Sequence, residues 1–457
     1  MKRIIFSILL IAAILMLSVS SVGAVSDKTK VAVNVVLNQP VSQDKLDKLA
    51  AYGTVLDVVE EIQALTMKVP AGNVASIRAL PFVAAVNEDA ARNGSPIDTV
   101  LVDNFADGLS TWNLDAINVT DFGFDNRQVN YDGSGVYVAV LDTGLLKTWK
   151  QYFPQERIAV EYAISFGGGG GEQGTVSTQP NKWETDVDSH GTHVTSTILG
   201  YSLNGVPVNG VAPMVKIIPV KVLNQNGSGW SSVVARGIVY VADLKAGPLK
   251  DYPVVINMSL GGPVLDAMEQ AAIDYAIEQG VIIVASAGNS GLAGMGYPGA
   301  YEPVISVAAA GWIGEWYQGS RTWWYALNVA DPTNPNHIYI TDFSSRELTG
   351  QDLDVAAPGS WVVGPYQVNR GQTSYYFLGG TSMASPHVAG IVALMAQKDP
   401  GLIASQAEAI LEDTALVLGP GCRTVYTPYG TTQTICWDTD ATGWGLVDAQ
   451  AALDEIP

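Results

Sequence analysis

Five short apolar runs dominate the chain beyond residue 135. They are too continuous to be strands with one face in water, and they lie at 136–141, 217–222, 254–258, 281–285 and 304–309. They alternate with helical patterns at 194–199, 233–245, 266–279 and 388–397. Buried strands interleaved with helices predict an α/β fold of three layers, in which a mainly parallel central sheet is covered on both faces. Functional sites in such sheets gather at the carboxyl ends of the strands.

The first hundred residues follow a different pattern. Apolar positions predict strands at 30–37, 54–59, 65–69 and 83–87, and amphipathic patterns predict helices at 42–52 and 73–80. The order strand, helix, strand, strand, helix, strand is that of a small ferredoxin-like α+β unit. The polar segment 88–98 that follows is interpreted as a linker.

The chain begins with the pattern of an export signal. Lys2 and Arg3 precede an apolar run at 4–17, and small residues follow, ending at Gly23 and Ala24. A membrane anchor is the alternative, but the run is shorter than the roughly 20 residues that span a bilayer. We therefore predict a signal peptide at residues 1–24, a secreted extracellular protein and no membrane anchor after removal of the signal.

Charge narrows the choice of partner. The chain has 24 lysine and arginine residues against 44 acidic ones, which is a formal net charge of −20. A nucleic-acid partner is excluded, because phosphate binding needs a basic surface. The first hundred residues hold nine basic and nine acidic side chains, so the acid excess lies wholly beyond them. One hypothesis is that this excess biases binding toward cationic substrates.

The two cysteines, Cys422 and Cys436, lie in a segment rich in glycine, threonine and proline. In an exported protein such an isolated pair predicts a disulfide that closes a surface loop, with free thiols as the alternative. A metal site is not favoured, because no histidine lies nearby.

Three segments carry groups that can do chemistry. Asp142 stands at the end of the first apolar run, His190 and His193 precede a helical segment, and Ser382 follows a glycine turn before another helix. Alone, each has a simpler interpretation: a turn aspartate, a pair of metal-ligating histidines, a helix-capping serine. Together they supply a nucleophile, a base for its proton and a carboxylate to orient the base. The order Asp, His, Ser is one of the known chain orders of such a triad.

Six segments in the right order resemble the subtilisin-like serine proteases. They are VAVLDTG at 138–144, HGTHV at 190–194, GVAP at 210–213, NMSLGG at 257–262, GTSMASPHVAG at 380–390 and GWGLV at 443–447. The resemblance implies a subtilisin-like three-layer fold and a serine endopeptidase that acts on peptides and proteins through an acyl-enzyme intermediate. It further implies that Ser382 is the nucleophile, that His190 is the general base and acid, and that Asp142 orients His190.

The resemblance extends to the walls of the substrate site. It implies that Asn289, in ASAGN at 285–289, donates to the oxyanion, and that two strand-like edges bind the peptide. The edges are Ser259, Leu260 and Gly261 on one side and Gly227, Ser228 and Gly229 on the other. Their glycines let a peptide backbone approach and add as a strand. The alternatives are a turn residue for Asn289 and a solvent-exposed loop for 227–229.

The unit at residues 25–95 resembles the propeptide of the same family, an intramolecular chaperone and inhibitor. The resemblance implies a self-processing zymogen with a signal peptide at 1–24, a propeptide at 25–95 and a peptidase domain at 96–457, cleaved between residues 88 and 109. The alternative is an unrelated small domain that stays attached. We expect a monomer whose partners are its substrates and its own propeptide.

The resemblance also indicates one place where structural calcium could bind. The family's chemistry requires no cofactor, but its members often bind structural calcium after the helix of the catalytic histidine. The segment 202–209 resembles that loop in length and in Asn204. Calcium prefers several oxygen ligands that include carboxylates, and the family's carboxylate shortly after the catalytic aspartate has no counterpart at 147–153. A structural calcium site at Asn204 is therefore a prediction that only part of the motif supports.

Two other functions are compatible with the same fold. A catalytically silent binding protein would be expected to lack at least one member of the set Asp142, His190, Ser382 and Asn289, and all four are present. An esterase could use the same triad, but a small ester has no need of long peptide-binding edges. The sequence therefore favours the protease.

Overall fold

A computed structural model describes residues 29–93, 98–101, 110–167, 173–368 and 373–457. The first elements are β1 (Lys30–Leu37), α1 (Gln43–Ala50), β2 (Thr54–Val59), β3 (Ala64–Pro70), α2 (Val74–Arg78) and β4 (Val83–Glu88). The four strands form one antiparallel sheet in the order β2-β3-β1-β4. The ferredoxin-like prediction is therefore confirmed, and each strand lies within one residue of its predicted bounds.

The chain continues through two short strands, β5 (Ala91–Asn93) and β6 (Asp98–Leu101), into a larger unit. The further strands are β7 (Tyr137–Asp142), β8 (Ile164–Ser165), β9 (Gly200–Leu203), β10 (Val206–Asn209), β11 (Lys216–Lys221), β12 (Ser228–Trp230), β13 (Val254–Met258), β14 (Val281–Ser286), β15 (Ile305–Trp312), β16 (Ile338–Ile340), β17 (Val355–Pro358), β18 (Val362–Gln367), β19 (Thr373–Gly379), β20 (Gly421–Tyr426) and β21 (Thr432–Trp437). The further helices are α3 (Trp112–Asp115), α4 (His190–Leu199), α5 (Ser231–Ala246), α6 (Ala267–Glu278), α7 (Trp323–Ala326), α8 (Thr381–Lys398), α9 (Ala404–Thr414) and α10 (Ala449–Glu455).

The central sheet of the larger unit is mainly parallel. Its strands follow the order β8-β11-β7-β13-β14-β15, with β17 also parallel to β15 and β16 antiparallel at the edge. Successive side chains of β7 enter opposite cores: Val138 and Val140 pack on the side of α4 and α8, whereas Ala139 and Leu141 pack on the side of α5 and α6. The predicted three-layer α/β fold is confirmed.

Helix α8 is longer than the sequence pattern predicts. The prediction begins at residue 388, whereas the helix begins at Thr381. Every residue from Thr381 to Ala396 is buried, so the helix has no polar face and its first turns lack the periodicity on which the prediction rests. Ser382 consequently lies in the first turn of the helix.

The C-terminal cysteines lie in a hairpin formed by β20 and β21. Cys422 and Cys436 face each other across the two strands and form a disulfide. The predicted pairing is confirmed, but it joins two paired strands rather than the ends of an irregular loop.

The predicted signal peptide falls within residues 1–28, which are outside the described residues. Among the residues that are described, none of the helices has both the length and the apolar character needed to cross a membrane.

Candidate active site

Asp142 and His190 meet at the carboxyl end of the central sheet. Asp142 is the last residue of β7, and His190 is the first residue of α4. The imidazole Nδ1 lies 2.9 Å from each carboxylate oxygen of Asp142, and both side chains are fully buried. His190 Nε2 has no hydrogen-bond partner among the described residues. The ring is therefore oriented through one nitrogen and has the other available for proton transfer.

The charges around His190 favour its protonated form. Burial lowers the pKa of an imidazole, but the carboxylates of Asp142, Asp188 and Asp186 outweigh it, so the pKa of His190 is raised above its ordinary value. The other two histidines of these helices differ, since burial lowers the pKa of His193 to about 3 and that of His387 to about 4. His190 is thus the one of these three that can bind a proton near neutral pH.

Ser382 is the second residue of α8 and its side chain is buried. Its Oγ donates a hydrogen bond of 3.2 Å to the carbonyl oxygen of Ser259, which directly follows β13. Strand β13 neighbours β7 in the sheet, and α4 packs against α8, so Ser382 and His190 begin adjacent helices at the same end of the sheet. The first amide groups of a helix lack partners within it, which favours negative charge near Ser382.

Asn289 lies between the end of β14 and the start of α8. Its Oδ1 accepts hydrogen bonds of 2.9 Å from both the backbone amide and the hydroxyl of Thr381. These bonds orient the carboxamide so that Nδ2 faces the turn before α8, where a Cβ on Gly380 would lie 3.6 Å from it. The side-chain amide donor is therefore held beside Ser382.

The chain's own residues 91–93 pair with one predicted peptide-binding edge and approach the residue that follows the other. Strand β5 pairs antiparallel with β12, which places Arg92 opposite Gly229. On the other side, beyond the edge that follows β13, a Cβ on Gly262 would overlap the carbonyl oxygen of Ala91. The segment 227–229 is thus part of a paired edge and not a free loop.

A buried polar cluster joins the N-terminal unit to helices α5 and α6. Asp89, just beyond β4, accepts hydrogen bonds of 3.0 and 2.8 Å from the amide and hydroxyl of Ser232 in the first turn of α5. Asp266 caps α6 and accepts a 2.8 Å bond from the side chain of Asn34 in β1. Carboxylates at helix N-termini satisfy amides that have no partner in the helix. The sequence analysis missed this cluster, because no local pattern pairs residues so distant along the chain.

A second missed feature is a groove beside Asn289. Its walls include Phe343, Trp361, Tyr426 and Tyr429. The last two belong to the disulfide-bonded hairpin and its turn, so the C-terminal cysteines support one wall of the site. The sequence signal for this groove was the presence of aromatic residues in the last third of the chain, and nothing in their spacing relates them to Asn289.

The part of the chain that carries these residues matches a known protein family. The model of the subtilase family matches residues 133–445, which is more than half of the chain. The chain belongs to the subtilase family. It is accordingly a subtilisin-like serine endopeptidase, a hydrolase that acts on peptide bonds.

Several known proteases resemble this chain, which is the subtilase meant below, over much of its length. Subtilisin DY from Bacillus licheniformis is 36% identical over 293 residues, which cover 63% of the subtilase and 86% of the relative. Thermostable alkaline protease from Halalkalibacterium halodurans is 29% identical, and the match covers 90% of the subtilase and 94% of the relative. Among solved structures, fervidolysin from Fervidobacterium pennivorans, a keratinolytic enzyme related to subtilisin, matches with a TM-score of 0.65 and 26% identity. That match covers 94% of the subtilase and 62% of the fervidolysin chain.

The calcium prediction concerns Asn204, which lies at the exposed turn between β9 and β10. Its backbone amide donates a 3.2 Å hydrogen bond to the hydroxyl of Tyr375. In the described part of the chain, the groups of three acidic side chains close enough to share a cation are Asp115 with Asp121 and Asp331, and Asp352 with Asp354 and Glu408. Neither group includes Asn204, and calcium binding there stays a prediction.

Proposed function

We propose that this subtilase is a secreted endopeptidase, made as a zymogen, that uses Ser382 as nucleophile, His190 as general base and Asp142 as orienting carboxylate. The observation that carries the proposal is the contact between buried Asp142 and His190, at the end of the sheet where Ser382 begins α8. The signal-peptide pattern at residues 1–24 supports export.

In the proposed reaction the hydroxyl of Ser382 turns from the carbonyl oxygen of Ser259 toward His190 Nε2. The proton passes to His190 while Oγ attacks the carbonyl carbon of the peptide, and Asp142 stabilises the imidazolium. His190 then gives this proton to the leaving amine, which leaves an ester on Ser382. Water, deprotonated by His190, hydrolyses the ester and regenerates the hydroxyl. These steps use side chains alone and need no cofactor.

Asn289 is proposed to donate from Nδ2 to the oxyanion. Asn289→Ala is expected to lower kcat by roughly 10²–10³-fold with little change in KM, because the donor acts on charge that develops only in the transition state. Steady-state hydrolysis of a peptide substrate measures both constants. Thr381→Val, which removes one of the groups that orient the carboxamide but keeps Nδ2, should cost much less. An Asn289→Ala variant that raises KM and keeps kcat would assign the residue to ground-state binding instead.

Residues 25–95 are proposed to be an inhibitory propeptide. Strand β5 pairs with β12 as an extended substrate would, and Asp89 extends the contact to the start of α5. Further along, β6 pairs with β19, the strand that leads into α8. The chain therefore contacts the peptidase unit on both sides of residues 94–97, within the segment where cleavage is predicted. Backbone pairing of this length favours a peptide substrate over a small ester.

A serine-directed fluorophosphonate tests the proposed nucleophile. The processed protein is expected to form one covalent adduct on Ser382, identified by peptide mass spectrometry, and to lose peptide hydrolysis in proportion. Heat-unfolded protein and Ser382→Ala are the controls, and neither should react. A folded, processed protein that hydrolyses peptides but carries the adduct on a different residue, or carries none, would contradict the proposal.

A further inference from the structure

Arg92 makes a fully buried contact between β5 and helix α6. Its side chain and that of Glu269 on α6 are 0% and 1% exposed. Arg92 Nε lies 3.1 and 3.0 Å from the two carboxylate oxygens of Glu269, and Nη2 also donates to Glu269 Oε2. Such a two-pronged contact matches the planar guanidinium and suits lysine much less well.

The surroundings of the guanidinium complete a pocket. Nη2 donates a 3.0 Å hydrogen bond to the carbonyl oxygen of Val264. A Cβ on Gly262 would lie 3.0 Å from Nη1, so a larger residue there would crowd the group. Asp266 and Asp89 add negative charge around Arg92. The pocket thus combines a carboxylate floor, a backbone acceptor and room for a flat cation.

Glu269 is an unexpected residue at this position. The other residues of α6 that are buried, Met268, Ala272, Ile273 and Ala276, are all apolar. Burial raises the pKa of the Glu269 carboxyl, and the charge and hydrogen bonds of Arg92 oppose that rise. A buried carboxylate is costly without a cation, and an apolar residue would serve helix packing as well or better. The Glu269 carboxylate therefore suits a cationic side chain carried by a strand that pairs with β12, as Arg92 of β5 does.

We propose that Glu269 is the floor of an arginine-selective subsite of the substrate cleft, and that Arg92 occupies it as a substrate arginine would. The subsite takes the side chain of the peptide residue that pairs with Gly229. The inference rests on the proposed function, because it treats β5 as a strand bound like a substrate. The net charge of the chain suggested only a general bias toward cationic substrates. The proposed subsite would place that preference at one position of the bound peptide.

The test uses the processed enzyme obtained from the full chain and pairs of quenched fluorescent peptides. Within a pair, arginine is exchanged for citrulline, which keeps the shape and removes the charge, at one of the positions two to five residues before the cleaved bond. At one position arginine is expected to raise kcat/KM by roughly 30-fold or more, as expected when removal of charge leaves a buried partner unpaired. Glu269→Gln should bring this ratio close to one while leaving the citrulline peptide nearly unaffected.

Glu278→Gln is the matched control, since it removes the same charge from the exposed end of the same helix and should leave the ratio unchanged. Equal rates for arginine and citrulline at all positions in the unaltered enzyme would overturn the subsite and leave the protease intact. The peptide pairs test the subsite in the unaltered enzyme, so the test remains valid even if Glu269→Gln fails to fold. No hydrolysis of any peptide would instead overturn the proposed function, and the subsite with it.

Discussion

Replacing Ser382 with alanine is expected to abolish both processing and peptide hydrolysis. The exported variant should keep residues 25–457 in one uncleaved chain, whereas the unaltered protein should yield a mature form that begins between residues 88 and 109. The variant lacks the oxygen that forms the acyl-enzyme, so we expect kcat to fall by roughly 10⁵-fold or more. N-terminal sequencing of the secreted product and a quenched peptide assay measure the two effects.

The control for this loss is Ser290→Ala, which removes an exposed hydroxyl next to Asn289. Its backbone amide, which donates to Ser345 Oγ, is retained. This variant should be processed normally. Equal processing of the Ser382→Ala chain, without peptide hydrolysis by either protein, would contradict both the nucleophile and self-processing, and would point to another protease in the host.

The second large effect is expected from Asp142→Asn, which should lower kcat by roughly 10⁴-fold. The carboxylate accepts from His190 Nδ1, whereas a carboxamide can present its NH₂ group there and favour the wrong tautomer. Loss of the charge also removes the strongest influence that raises the pKa of His190. Without that charge the imidazolium form of His190 is less stable, so His190 loses its proton at a lower pH. The acid limb of the kcat/KM profile should therefore move to lower pH.

Asp188→Asn is the control that separates the effect of negative charge on the pKa of His190 from the effect of orienting its ring. Asp188 also raises the pKa of His190 through its charge, but His190 Nδ1 is hydrogen-bonded to Asp142. The control should shift the acid limb slightly to lower pH and keep most of kcat at neutral pH. Comparable losses of kcat in the two variants would show that the charge, rather than orientation of the ring, is what Asp142 provides.

Elements with a strong local pattern could be predicted from the sequence to within a residue or two. The strands of the ferredoxin-like unit are of this kind, and so are the buried strands of the central sheet apart from β15, which continues three residues beyond its predicted end. Helices α4 and α8 are exceptions, since they begin four and seven residues before their predicted starts, and burial on all sides removes the periodicity of their first turns. The Asp142, His190 and Ser382 segments were recognisable because each combines a reactive group with the turn or helix start that holds it.

By itself, the sequence determined the family, the two folded units, the cysteine pairing and the residues proposed for catalysis. Only the tertiary structure decided that Asp89 meets α5, that the cysteine hairpin borders Asn289, and that Arg92 is buried on Glu269. The physical reason lies in separation along the chain. A strand or helix is specified by neighbours a few residues apart, whereas a buried ion pair between residues 177 positions apart leaves no trace in either local pattern. It exists only where the fold has removed both groups from water.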